Sequence, residues 1–200
     1  MADTLHVPHP PRILAFAAST RSASFNRRLA RVATECVRQA GGDITLIELK
    51  DYPMPLYEGD LEAAEGIPEQ GKRLKALLAE HQGLLVVSPE YNGFITPLLK
   101  NTLDWLSRPD GDQDGLALFR DKLALVLSAS PGALGGLRSL TLARQLLTNL
   151  GVMLMPDSLA VGRAHEAFGD DDTLKDARQQ AKLQGMAAKF VTTLQTLNPR

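Results

Sequence analysis

The sequence predicts an α/β fold, a doubly wound five-stranded parallel sheet of order 2-1-3-4-5 with helices on both faces. Three apolar runs, residues 13–18, 83–88 and 123–128, lack polar alternation and read as central strands covered on both sides. Segments of helical spacing separate them, and strands alternating with helices build a parallel sheet with right-handed crossovers. Each run opens into a loop of hydroxyl, amide or glycine residues, and in open α/β sheets the carboxyl edge of the strands is where ligands bind.

The first strand and its loop organise the chain. After residues 13–18 come Ser19, Thr20, Arg21, Ser22, Ala23 and Ser24, and then apolar positions Phe25, Leu29, Val32, Cys36 and Val37 at helical spacing. Ser24 is a suitable N-cap, so the amide-bearing end of a helix faces the loop. Free amides and the positive end of the helix dipole favour an anion, and Ser19, Thr20, Arg21, Ser24 and Asn26 add donors suited to phosphate. Neither G-x-x-x-x-G-K-[ST] nor G-x-G-x-x-G is present. A hydroxyl-rich turn is the phosphate solution typical of flavodoxin-like folds; the same residues also suit a turn that only caps a helix.

Gly41-Gly42 ends the first helix, and residues 43–49 alternate apolar with polar as a strand nearer the sheet edge does. Prolines 53 and 55 make 52–57 an extended loop. Leu74, Leu77 and Leu78 mark a helix over 68–81. The strand at 83–88 stops at Pro89-Glu90-Tyr91-Asn92-Gly93, which places an acid, an aromatic and an amide at the carboxyl edge. Thr96-Pro97 starts the next helix, in which Trp105 is a packing residue. The acids of 110–115 lack the ligand order of a calcium loop. The strand at 123–128 opens into Ala129-Ser130-Pro131-Gly132-Ala133-Leu134-Gly135-Gly136, whose glycines permit close backbone approach to a ligand. A helix over 137–150, a last short strand at 152–156, a polar break at 169–172 and a final helix with Leu174, Ala177, Ala181, Met186, Phe190 and Leu194 in the core complete the pattern.

At 200 residues and 44% hydrophobic, the chain suffices for one domain, expected over 11–196 behind a disordered lead-in at 1–10. A net charge of −1 with scattered Lys and Arg argues against nucleic-acid binding. No run approaches membrane-spanning length, and a cytoplasmic protein is expected. Cys36, the single cysteine, excludes disulfides and Cys-rich metal sites and reads as a buried structural thiol. His6, His9, His81 and His165 show no metal spacing and are expected at the surface.

Residues 18–26, Ser88-Pro89-Glu90-Tyr91-Asn92-Gly93 and Leu99-Lys100-Asn101-Thr102-Leu103-Asp104-Trp105 together resemble the NADPH-dependent FMN reductase family, which includes bacterial quinone, azo-dye and chromate reductases. The resemblance implies a flavodoxin-like, FMN-binding oxidoreductase, with NADPH or NADH as co-substrate, a small-molecule electron acceptor, and a homodimer or homotetramer. It implies that Ser19, Arg21, Ser24 and Asn26, with Thr20 between them, form the FMN-phosphate loop. Pro89, Glu90, Tyr91, Asn92 and Gly93 would lie along the isoalloxazine, and Ser128 and Gly132 would close the other side. No catalytic side chain is required, since the flavin carries the chemistry. Ala18 stands where the family often has glycine, and Phe94-Ile95 where it has small residues, which implies a different turn and a bulkier wall. A flavodoxin-type electron carrier is the alternative. A phosphatase is disfavoured because the loop holds no thiol. Arg138 is a candidate for cofactor phosphate or for a subunit interface.

Overall fold

The computed structural model describes residues 9–170 and 173–198. His6 and most of the expected lead-in lie outside them. The elements run β1 (Arg12–Ala17), α1 (Phe25–Gln39), β2 (Asp43–Glu48), α2 (Gly59–Glu65), α3 (Glu69–Ala79), β3 (Gly83–Val87), α4 (Pro97–Leu106), β4 (Leu123–Ala129), α5 (Leu137–Asn149), β5 (Met153–Leu154), β6 (Leu159–Val161) and α6 (Ala177–Leu197). The sheet is parallel in the order β2-β1-β3-β4-β5, the expected flavodoxin-like order, with parallel pairing as the alternation of strands and helices predicts.

The three apolar strands divide their side chains between two cores. Ile13, Ala15 and Ala17 of β1, Leu85 and Val87 of β3, and Leu125 and Leu127 of β4 pack with Leu29 and Val37 of α1 and Leu183, Phe190 and Leu194 of α6. The alternate residues Leu14, Phe16, Leu84, Val86, Ala124 and Val126 pack with Leu74 and Leu78 of α3, Leu99 and Leu103 of α4, and Leu140 and Leu147 of α5. Burial on both faces explains the missing alternation. Trp105 is fully buried, and its Nε1 donates to the Pro55 carbonyl at 2.8 Å. Asn101 Nδ2 donates to the same oxygen at 2.9 Å, so α4 clamps the proline-rich loop.

Four expectations are corrected. The last strand is two pieces: β5 pairs with Leu123 and Ala124, β6 with residues 127–129 of the same β4, and Pro156 lies in the break. α2 interrupts the stretch before α3; it buries no residue and therefore carries no apolar stripe to read, and Glu58 caps it by accepting from the amides of Asp60 and Leu61. The final helix starts at Ala177, with Ala177 and Ala181 exposed; its buried stripe is Leu183, Met186, Ala187, Phe190, Val191 and Leu194. His81 is buried rather than at the surface, its ring nitrogens bonded to the Leu77 carbonyl and Thr45 Oγ1 at 2.6 and 3.1 Å. No helix among the described residues is long and apolar enough to cross a membrane.

Candidate active site

The sheet order places the loops after β1, β3 and β4 side by side, because β1, β3 and β4 are neighbours. Between them lies a cleft of about 120 Å³ lined by Ser19, Arg21, Ser24, Phe25, Asn26, Pro89, Glu90, Tyr91, Ala129, Ser130 and Pro131. Pockets that enclose a drug-sized ligand run to about 300–1,000 Å³. This cleft therefore suits a phosphate and its ester arm, and a larger planar group must extend onto the open shelf beyond.

Its floor is the N-terminus of α1. Ser24, in extended conformation, accepts from the Arg27 amide at 3.4 Å, and the Arg28 amide bonds the Ser24 carbonyl at 3.1 Å. The amides of Phe25 and Asn26 have no protein acceptor among the described residues, as expected for the first helical positions. The hydroxyls of Ser19, Thr20 and Ser22 likewise bond no described residue. Asn26 serves differently: its side-chain amide donates to the Ala129 carbonyl at 2.8 Å and accepts from the Ala129 amide at 2.9 Å, tying the loop to the end of β4. Arg21 bonds the Ala23 carbonyl and stays exposed at the cleft, while Arg27 braces the loop through the carbonyls of Arg21 and Ser22 and an ion pair with Glu48.

The second wall is residues 88–94. Tyr91 and Phe94 exchange both backbone bonds at 3.0 Å around Asn92 and Gly93, which have φ of 53° and 79°. Asn-Gly is the preferred pair for such a two-residue turn, so these two positions shape the shelf tip. The segment is fastened at its base, where Ser139 Oγ donates to the Pro89 carbonyl at 2.7 Å. Glu90 accepts from the amides of Arg138 and Ser139 and from the Arg138 guanidinium, and so caps α5, whose own N-cap is Gly136. Burial pushes the Glu90 carboxyl up, but the bonds from Arg138 and Ser139 outweigh it and hold it below the usual carboxylate range. Glu90 is thus ionised at neutral pH and has no proton to give.

The third wall cannot open freely. A Cβ on Gly135 would lie 2.6 Å from the Gly162 amide nitrogen, and one on Gly162 would lie 2.3 Å from the Ala133 carbonyl oxygen. Ser128 Oγ donates to the Gly135 carbonyl at 2.7 Å. The loop after β4 is pressed against β6, with Ser130 and Pro131 facing the cleft.

Residues 11–166 match the model of the NADPH-dependent FMN reductase family. The chain belongs to that family. It is 34% identical over 176 residues to a quinone reductase of Pseudomonas putida, covering 87% of this chain and 89% of that one. It is 30% identical over 181 residues to the NADH:(hydroxy)cinnamate reductase subunit of Vibrio ruber, covering 89% and 84%. Among solved structures, the flavoenzyme NAD(P)H:(acceptor) oxidoreductase of Paracoccus denitrificans superposes with a TM-score of 0.78 at 27% identity, covering 93% of this chain and 98% of that one.

In this FMN reductase, Ser19, Arg21, Ser24, Asn26, Pro89, Glu90 and Tyr91 converge on one cleft. Thr20 turns to the far side of its loop, toward Tyr52, Met54 and Asn101. Asn92 and Gly93 form the shelf tip, Ser128 is wholly buried behind the third wall, and Gly132 lies at its exposed crest. Phe25, Ala129, Ser130 and Pro131 line the cleft without having been singled out. Phe25 reads in sequence as a plain helical core residue, and the other three sit within the glycine-rich loop without a chemical signature of their own. The orphan amides at α1, the hydroxyls of Ser19 and Ser24, and Arg21 fit the phosphate of FMN, and the open shelf fits its ring.

Proposed function

We propose that this chain works as a cytoplasmic homodimer or homotetramer in which FMN is held at the cleft, NADPH or NADH is oxidised, and a small planar acceptor of the quinone class is reduced. The observation that carries the reading is the convergence of the β1, β3 and β4 loops on a cleft floored by unpaired helix amides. FMN held by the α1 amides, Ser19, Ser24 and Arg21 would supply the two-electron chemistry between nicotinamide and acceptor.

The protein's part is binding and orientation. The α1 amides, Ser19, Ser24 and Arg21 hold the phosphate with charge-assisted bonds. Asn26 fixes the height of that loop against β4. The Asn92-Gly93 turn and the Glu90 cap hold the shelf rigid, with Tyr91 and Phe94 exposed along it. Glu90, ionised and paired with Arg138, holds the shelf and does not act as the acceptor's proton donor. The quinone-reductase relative supports this acceptor class.

The test is spectroscopic. Purified protein incubated with FMN and desalted should retain flavin absorbance that bleaches on anaerobic addition of NADPH or NADH and returns with 1,4-benzoquinone. Loss of the flavin on desalting would refute the tight site, and flavin that stays oxidised with both nucleotides would point instead to an electron carrier.

A further inference from the structure

Arg138 is gripped from one side only. Its Nε and Nη2 donate to Oε1 of Glu90 at 2.9 and 2.5 Å. That carboxylate is itself fixed by the amides of Arg138 and Ser139 at 3.2 and 3.3 Å. The Glu90 side chain is 10% exposed and that of Arg138 65%. An isolated pair of exposed ions has little reason to hold one geometry. Here the acid is anchored, so the guanidinium has a fixed seat. A guanidinium carries five N–H donors. Two are used on Glu90, and the other three meet no acceptor among the described residues. The group lies against the shelf tip, with its central carbon 3.7 Å from where a Cβ on Gly93 would stand. Glu90 itself lines the cleft.

We infer that Arg138 is a specificity-determining residue, an anion subsite at the rim of the cleft that receives a phosphate of the nicotinamide dinucleotide, and that Glu90 is its positioning residue. The inference rests on the function proposed above and deepens it. A quinone is neutral and asks for no cation at the rim. The dinucleotide brings a diphosphate and, in NADPH, a further phosphate on the ribose. A planar fork matches phosphate oxygens two at a time. Because Glu90 already fixes the side chain, little rotamer entropy is lost on binding.

Steady-state kinetics with 1,4-benzoquinone as acceptor test this. Arg138→Gln removes the charge and leaves Glu90 its two backbone bonds. The KM for the nucleotide should rise about tenfold or more, as for loss of a charge-assisted bond, with kcat within about a factor of two. A rise for NADPH alone assigns the ribose phosphate; an equal rise for NADPH and NADH assigns the diphosphate. Either supports the subsite. Arg138→Lys, which keeps the charge but not the fork, should fall between, and it carries the test if Arg138→Gln fails to retain FMN. Variants that bind FMN and turn over with unchanged KM for both nucleotides overturn the subsite alone. A wild-type protein that oxidises neither nucleotide overturns the function proposed above and the subsite with it.

Discussion

Replacing Asn26 should unfasten the first loop from the sheet. Its amide is buried and occupies both the N–H and the C=O of Ala129, at 2.9 and 2.8 Å. Asn26→Ala leaves both backbone groups unpaired in the interior, at about 1–3 kcal/mol each, so a loss of roughly 2–6 kcal/mol is expected. For a domain of this size each kcal/mol moves Tm by about 2–4 °C, and the apo-protein should melt about 4–24 °C lower by far-ultraviolet circular dichroism. Working without FMN keeps ligand linkage out of the comparison. Asn26→Asp sharpens the test. It keeps an acceptor for the Ala129 amide but sets a carboxylate oxygen toward the Ala129 carbonyl, so the folded state raises the pKa of that acid. Its ionisation penalty is absent below the unfolded pKa, grows as pH rises from the unfolded to the folded value and is constant above it; acidification from pH 7 down through that window should therefore stabilise Asn26→Asp relative to Asn26→Ala. A Tm drop under about 2 °C for Asn26→Ala would refute the argument that this amide carries the loop.

Two further outcomes follow from the same physical reasoning. Gly135→Ala places a Cβ 2.6 Å from the Gly162 backbone at a φ of 64°, and should cost more than about 2 kcal/mol and abolish FMN retention on desalting, whereas Gly59→Ala, with nothing within 4 Å, should change neither. Lys122 is buried and donates to the His81 carbonyl, and burial lowers its pKa from 10.5 to about 8. Between pH 8 and 10.5 the unfolded chain binds more protons than the folded one, so stability should rise with pH across that window, by about 1–2 kcal/mol after allowing for solvent near the amine, and this rise should vanish in Lys122→Met. Urea unfolding at pH 7.5 and pH 10 measures it.

The central strands were legible because burial on both faces leaves continuous apolar runs, and their adjacency came with the flavodoxin-like order that the chain length and strand count fit. The split edge strand was not, since Leu159–Val161 is too short to show a period. α2 was hidden because it buries no residue fully and so carries no apolar stripe. His81 gives no local sign of burial; its partners arrive from Leu77, one turn back, and from Thr45 across the sheet. In the site, residue types announced the phosphate loop and the shelf, but not the division of labour within them. Asn26 reads as a phosphate donor and is spent on Ala129. Glu90 reads as a loop acid, yet its partner Arg138 lies 48 residues away, a distance that no local pattern spans.

The broken edge beside β4 limits how this chain can associate. A neighbouring strand adds to a sheet by meeting a long, regular row of unpaired amides and carbonyls. Met153–Leu154 and Leu159–Val161 present two short stubs separated by a proline-bearing kink. A second copy therefore finds no ladder to extend on that side, and any stable association through it must be made by side chains, between helices and loops, which leaves the register of the sheet untouched.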